Sequence, residues 1–165
     1  MIIIVFGLPG VGKSFFAKSL AQKLKAKYLN TDIIRNEKYE HFDYNEHNKT
    51  DVYKHLINEM YNYAHSKKDL VLDGTFYKKR IREAFLKLSN DLNIKLNWIE
   101  ITADEDVVKG RLSEKREHSE ADYNVYLKIK EDFEPINTHE YLSLKSTNFN
   151  MDDMIKKAID FINDK

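Results

Sequence analysis

The residues Met1-Ile2-Ile3-Ile4-Val5-Phe6-Gly7-Leu8-Pro9-Gly10-Val11-Gly12-Lys13-Ser14 open the chain and decide how it folds. Met1 to Phe6 is short, apolar, rich in β-branched side chains and closed by a glycine turn, the pattern of a parallel strand buried on both faces. A secretory leader would need a basic start and a longer apolar run, and a membrane helix about 20 apolar residues. Gly7 to Ser14 then satisfies G-x-x-x-x-G-K-[ST] in full. Glycines in such a loop let the backbone wrap so that its N–H groups point inward at phosphate oxygens, the lysine reaches the β- and γ-phosphates, and the hydroxyl binds Mg²⁺. The helix that starts here adds its positive end. A glycine turn that binds nothing is the alternative, but strand, loop, Lys13, Ser14 and helix stand in the right order. The expected phosphate cradle is Gly7, Leu8, Pro9, Gly10, Val11, Gly12, Lys13, Ser14 and Phe15, and the implied ligand is a nucleoside triphosphate.

Outward from the loop, Phe15, Phe16, Leu20 and Leu24 recur at helical spacing on what reads as one apolar side, with Lys18, Gln22 and Lys25 between them. Lys27 to Asn30 reads as a second strand, Asp51 to about Ser66 as a helix, and Leu70-Val71-Leu72 as a third strand ending at Asp73-Gly74. A helix from about Lys78 to Asn90, a strand from Ile94 to Ile101 and a helix from about Asp104 come next. Ser113 to Asp122 is almost wholly polar. A helix from about Ala121 to Phe133 stops before Pro135, Tyr141 to Leu144 reads as a fifth strand, and Met154 to Ile162 as a last helix. Alternating strands and helices imply an α/β fold with a parallel sheet covered on both faces, and without linker or repeat the whole of 1–165 reads as one domain.

The chain of 165 residues can bury roughly 70% of its unfolded surface, enough for a complete core. It has no cysteine, which excludes disulfide scaffolds, thiolate metal sites and cysteine nucleophiles, and fits a reducing, cytoplasmic setting. Its 27 basic and 27 acidic residues cancel, which argues against a protein held on nucleic acid by bulk charge. Two rarer counts say more. Three of the five glycines lie in the first twelve positions, and only five basic residues are arginine: Arg35, Arg80, Arg82, Arg111 and Arg116. Any fork-shaped phosphate clamp must come from those five.

Thr31-Asp32 ends the second strand, and Arg35 stands one helical turn later. Ligands of a parallel sheet sit outside the carboxyl ends of its strands. A carboxylate there can take the proton of an attacking hydroxyl, and an arginine one turn on can hold the acceptor. Asp32 could equally N-cap a helix from Ile33 to Lys38, and the two roles are compatible. Asp73, ending an apolar strand, has the Walker B placement of a Mg²⁺-holding carboxylate, although Asp before Gly is also a common turn pair. Arg111 and Arg116 flank the entry to the polar stretch, where a solvated helix end is one reading and a lid over about 111–124, bringing arginine onto the triphosphate, is the other. The six histidines show no metal spacing, and the aromatic stretch Tyr39 to Tyr44 reads as packing before base stacking. Asn48-Lys49-Thr50-Asp51 has the form of a guanine-reading motif but comes after a polar stretch instead of an apolar strand, so it is read as chance. A motor ATPase would need more chain, which leaves a small kinase.

With these motifs in place the chain resembles the small P-loop kinases of the AAA_33 type, allied to zeta toxins, gluconate kinases, chloramphenicol phosphotransferase and the 5′-kinase domain of phage polynucleotide kinase. The likeness rests on GLPGVGKS, LNTDIIR, LVLDGTF and RLSEKREHSEADYNVYLKIKEDFEP. It implies a P-loop three-layer sandwich with a five-stranded sheet ordered 2-3-1-4-5 and a helical lid. It also implies that Lys13 and Ser14 hold the phosphates and Mg²⁺, Asp32 is the general base, Arg35 grips the acceptor, and Arg111 and Arg116 contact ATP. Related kinases often space the lid pair by four residues; here it is five, with Lys115 at the fourth, so Lys115 and Arg116 are alternative lid cations. The expectation is an ATP- and Mg²⁺-dependent kinase acting on a hydroxyl-bearing acceptor. A polynucleotide 5′-hydroxyl kinase is an alternative that the neutral charge weakens, and a nucleotide-sensing ATP-binding module without turnover is another.

Overall fold

A computed structural model of the chain describes residues 1–38, 46–113, 122–137 and 139–164. The opening run forms β1 (Ile2–Phe6), all five of whose side chains are buried. The others are β2 (Lys27–Asn30), β3 (Leu70–Asp73), β4 (Leu96–Thr102) and β5 (Leu142–Lys145), paired in parallel in the order β2-β3-β1-β4-β5. This is the expected order. The helices are α1 (Lys13–Leu24), α2 (Thr31–Lys38), α3 (Glu46–His65), α4 (Lys79–Asp91), α5 (Glu105–Ser113), α6 (Tyr123–Glu131) and α7 (Met151–Asn163).

Because successive strand side chains point to opposite faces, β1 divides its own apolar run between two cores. Ile3 and Val5 pack with Phe16, Ala17, Leu20 and Ala21 of α1 and Met154 and Ala158 of α7. Ile2, Ile4 and Phe6 pack on the other face with Val52, Leu56 and Met60 of α3, Phe85 of α4 and Trp98. Truncating one of these central side chains, such as Ile4→Ala, should cost about 2–5 kcal/mol through lost transfer and a cavity between two closed faces.

Three expectations need correction. Phe15 does not share the apolar side of α1. It stands 69% exposed, because about 100° of helical rotation separates it from the fully buried Phe16. Asp32 is not the cap of α2, which begins one residue before it; the side chain of Asn30 accepts the N–H groups of Asp32 (2.7 Å) and Ile33 (3.0 Å) instead. Element ends also move. α3 starts at Glu46, so Asn48 to Asp51 is helical, and α7 starts at Met151, β4 at Leu96 and α6 at Tyr123 after an Asp122 cap.

The register aligns the strand ends. Val5 and Asn30 both lie beside Asp73, and Thr102 beside Lys145. The carboxyl ends of all five strands therefore form one edge, from which the loops at 7–12, 74–78 and 146–150 leave. Among the described residues no helix is long and apolar enough to cross a membrane.

Candidate active site

A cavity of about 730 Å³ opens at that edge, and its walls come from the glycine loop, α2, the 74–77 turn, α6 and the turn after β5. The loop takes the wrapped form its glycines permit, with positive φ at Gly7, Gly10 and Gly12. Gly7 is required twice over: its φ is +138°, and a Cβ there would lie 2.3 Å from the carbonyl oxygen of Ile101. Lys13 donates from Nζ to the Leu8 carbonyl at 2.7 Å, which holds the ammonium inside the curl of the loop. Pro9, Gly10, Gly12, Lys13, Ser14 and Phe15 all line the cavity, Phe15 from its exposed position.

Of the carboxylates that line this space among the described residues, Asp73 and Asp32 lie in different settings. Asp73 is fully buried. Its Oδ2 accepts from the amide of Asn30 and, at 2.8 Å, from the Tyr28 hydroxyl. Burial pushes the Asp73 carboxyl above the usual carboxylate range, against the opposing pull of Lys13, Ser14, Tyr28 and Asn30. Among the described residues its Oδ1 is buried with no hydrogen-bond partner. A lone carboxylate oxygen out of water is costly unless something positive faces it. Beside it the Ser14 hydroxyl receives the Asn30 amide at 3.3 Å. A carboxylate oxygen and a hydroxyl next to a phosphate cradle are the hard oxygen donors Mg²⁺ takes, so these residues fit the ion.

Asp32 is the second carboxylate, with its side chain 35% exposed. It sits in the first turn of α2, and Arg35, three residues on, reaches back to it with NH1 to Oδ1 at 2.6 Å. Arg35 itself is buried at 8% exposure. Next to this pair the Tyr53 hydroxyl accepts from the Phe76 N–H at 3.1 Å and lies 3.3 Å from the Thr75 hydroxyl. Tyr77 and, from α6, Val125, Lys128, Ile129 and Asp132 complete the wall on this side.

At the other end, Arg111 leaves α5 and is gripped by oxygen acceptors. NH1 donates to the Val11 carbonyl at 2.9 Å, and NH2 to Ser146 Oγ, the Thr147 carbonyl and Asn148 Oδ1, each at 3.1 Å. Partial burial lowers its guanidinium's affinity for the proton. The guanidinium thus ties the back of the glycine loop to the turn after β5 and borders the cavity. Arg82, to which the sequence assigns no role, is fully buried and donates to the carbonyls of Phe76 (2.7 Å), Glu134 (2.8 Å) and Pro135 (3.0 Å). It fixes the Phe-Glu-Pro segment behind the 74–77 turn.

The structure thus brings Lys13, Ser14, Phe15, Asp32, Arg35, Asp73 and Arg111 to one cavity. Lys115, Arg116, most of the expected lid and Tyr39 to Tyr44 lie outside the described residues. Sequence reading passes over Tyr28, Asn30, Tyr53 and the turn Ser146-Thr147-Asn148. The last has a usable signal, since a polar run just past a strand's carboxyl end lies where ligands bind.

The AAA_33 family, described as an AAA domain, matches residues 2–136, and the chain belongs to it. Solved structures share the fold at low identity. A sugar kinase from Janibacter sp. HTCC2649 has a TM-score of 0.76 at 16% identity, covering 98% of this chain and 94% of that one. A gluconokinase from Sinorhizobium meliloti has a TM-score of 0.72 at 16% identity, with 98% and 91% covered. The APS kinase of Mycobacterium tuberculosis, in complex with AMPPNP and APS, gives 0.73 at 16% identity, with 98% and 96% covered. The architecture is that of the P-loop kinases.

Proposed function

We propose that this AAA-domain protein is an ATP-dependent kinase that transfers the γ-phosphoryl group to a hydroxyl of a small-molecule or nucleotide-like acceptor. The observation that carries the reading is the placement of Asp32, partly open and ion-paired, in the same cavity as Lys13, Ser14 and Asp73. A motif loop alone would support binding; a second, differently held carboxylate opposite it supports chemistry.

In this reading the loop and Lys13 hold the β- and γ-phosphates, and Arg111 anchors the donor end. Ser14 and Asp73 would hold Mg²⁺, which when bound would draw off phosphate charge. Asp32 keeps Oδ2 for the acceptor hydroxyl while Arg35 occupies Oδ1. As the acceptor oxygen bonds to the γ-phosphorus, its proton passes to Asp32 and the bond to the β-phosphate oxygen breaks, releasing ADP. Arg35 then has two tasks, orienting Asp32 and meeting the acceptor, and Arg116 or Lys115 is the expected lid cation.

Incubation with radiolabelled ATP and Mg²⁺ against a panel of sugars, nucleosides and 5′-hydroxyl oligonucleotides tests the proposal. Transfer to a small acceptor supports it, and labelling confined to oligonucleotide 5′ ends moves the assignment to a polynucleotide kinase. ATP binding with no transfer to any acceptor would leave a nucleotide-sensing module instead.

A further inference from the structure

We infer that Asn30 is a positioning residue that couples the metal side of the cavity to the helix bearing the candidate base, an inference that rests on the kinase reading above. A primary amide offers two donors and a carbonyl with two lone pairs. Asn30, 5% exposed, uses all four on opposite sides. Its Oδ1 accepts the N–H groups of Asp32 (2.7 Å) and Ile33 (3.0 Å), and its Nδ2 donates to Asp73 Oδ2 and, at 3.3 Å, to Ser14 Oγ. A flipped amide would set N–H against N–H on one side and carbonyl against carboxylate on the other, so each side fixes the other.

The sheet register puts Asn30 beside Asp73. Tyr28, two residues earlier on the same face of β2, adds its hydroxyl to the same Asp73 oxygen at 2.8 Å. Oδ2 thereby holds two donors, and Oδ1 is the oxygen left without a hydrogen-bond partner among the described residues. Outer donors of this kind decide which way a metal-binding carboxylate points. The opposite end of the same amide sets where α2 begins. It takes the capping place that Asp32 would otherwise fill and leaves the Asp32 carboxylate in the first turn, facing Arg35 and the cavity. One side chain therefore sets the position of both carboxylates.

The test separates the two ends of the amide. Serine can cap a helix but lacks the second donor and the length to serve Asp73, so Asn30→Ser should keep α2 while losing the link; Asn30→Ala loses both. ADP binding is measured by calorimetry with Mg²⁺ and with EDTA, alongside kcat and KM. Expected for Asn30→Ser is a loss of roughly 10–100-fold in the gain that Mg²⁺ gives to ADP affinity, with affinity in EDTA unchanged. The fall should appear in kcat, with the acceptor KM little moved. Tyr28→Phe, which leaves the cap untouched, should reduce the Mg²⁺ gain by a smaller factor. A folded Asn30→Ser protein with the parent's full Mg²⁺ gain overturns the inference, and should that variant not fold, the same result in Tyr28→Phe does so. If the parent transfers phosphate to nothing, the kinase reading falls while the Mg²⁺ gain still decides the role of Asn30.

Discussion

The two ends of the cavity are built from different materials. At the donor end the critical contacts run through backbone: the curl of Gly7 to Gly12, the Leu8 carbonyl holding Lys13, and the Val11 and Thr147 carbonyls among the acceptors of Arg111. At the proposed acceptor end they run through side chains: Asp32 with Arg35, and Tyr53 with Thr75. On the kinase reading proposed above, a backbone site recognises what every substrate in a class shares, a phosphate chain. A side-chain site changes with each substitution, so on the same reading the acceptor end is where specificity would be written.

The sharpest test of that division compares Lys13→Ala with Asp32→Asn. Lys13→Ala should abolish ADP binding and turnover together. Asp32→Asn should leave ADP affinity within about twofold while kcat falls by roughly two to four orders of magnitude, as for loss of a general base. Calorimetry and initial rates on the two variants check this. Equal losses of binding in both would erase the boundary between the two ends.

Glycine replacements probe the same contrast through stability. Gly7→Ala would force a left-handed backbone onto alanine and drive Cβ within 2.3 Å of a main-chain oxygen that cannot move without shifting β4. A cost of about 3–5 kcal/mol is expected, a fall on the order of 10 °C in Tm. Gly74→Ala, at the acceptor end, meets Thr31 Cγ2 at 2.8 Å and the Phe76 ring at 3.1 Å. Those are side chains, and about 1–2 kcal/mol should suffice. Thermal melts of both variants give the order directly.

Arg111→Lys is expected to have a smaller effect. An ammonium keeps the charge but cannot serve Val11, Ser146, Thr147 and Asn148 at once. The KM for ATP should rise roughly tenfold, with the acceptor KM unchanged, measured by varying each substrate at saturating concentrations of the other.

The same division explains what is legible in the sequence. The β1 run and the glycine loop are local, their spacing is dictated by backbone geometry, and the alternation of strands and helices comes from hydrophobic period; the sheet order needs the family likeness. Asp32 and Asp73 can be placed because strand ends announce themselves. Asn30 cannot, because its meaning lies in Asp73, 43 positions away, and emerges only once β2 and β3 are in register. Arg82 is hidden for a related reason. A charged residue in an amphipathic helix reads as surface, and the three carbonyls that make its burial tolerable come from the 76 and 134–135 segments.

The mildest prediction concerns His139, which feels the charge of the buried Arg82. Its ring lies 4.4 Å from that of Trp98. Burial, and then the charge of Arg82, hold its pKa below the ordinary histidine value. In the unfolded chain it titrates near about 6.5, so as pH drops below that value the unfolded state takes up the proton first and stability declines. The decline ends once pH is below the folded value as well, and above about 6.5 His139 contributes no slope. His139→Phe, which keeps a ring against Trp98, should therefore flatten this limb of Tm against pH between about 7 and 5 while leaving the neutral-pH slope alone. A variant with the parent's full slope would assign the acid limb to other groups.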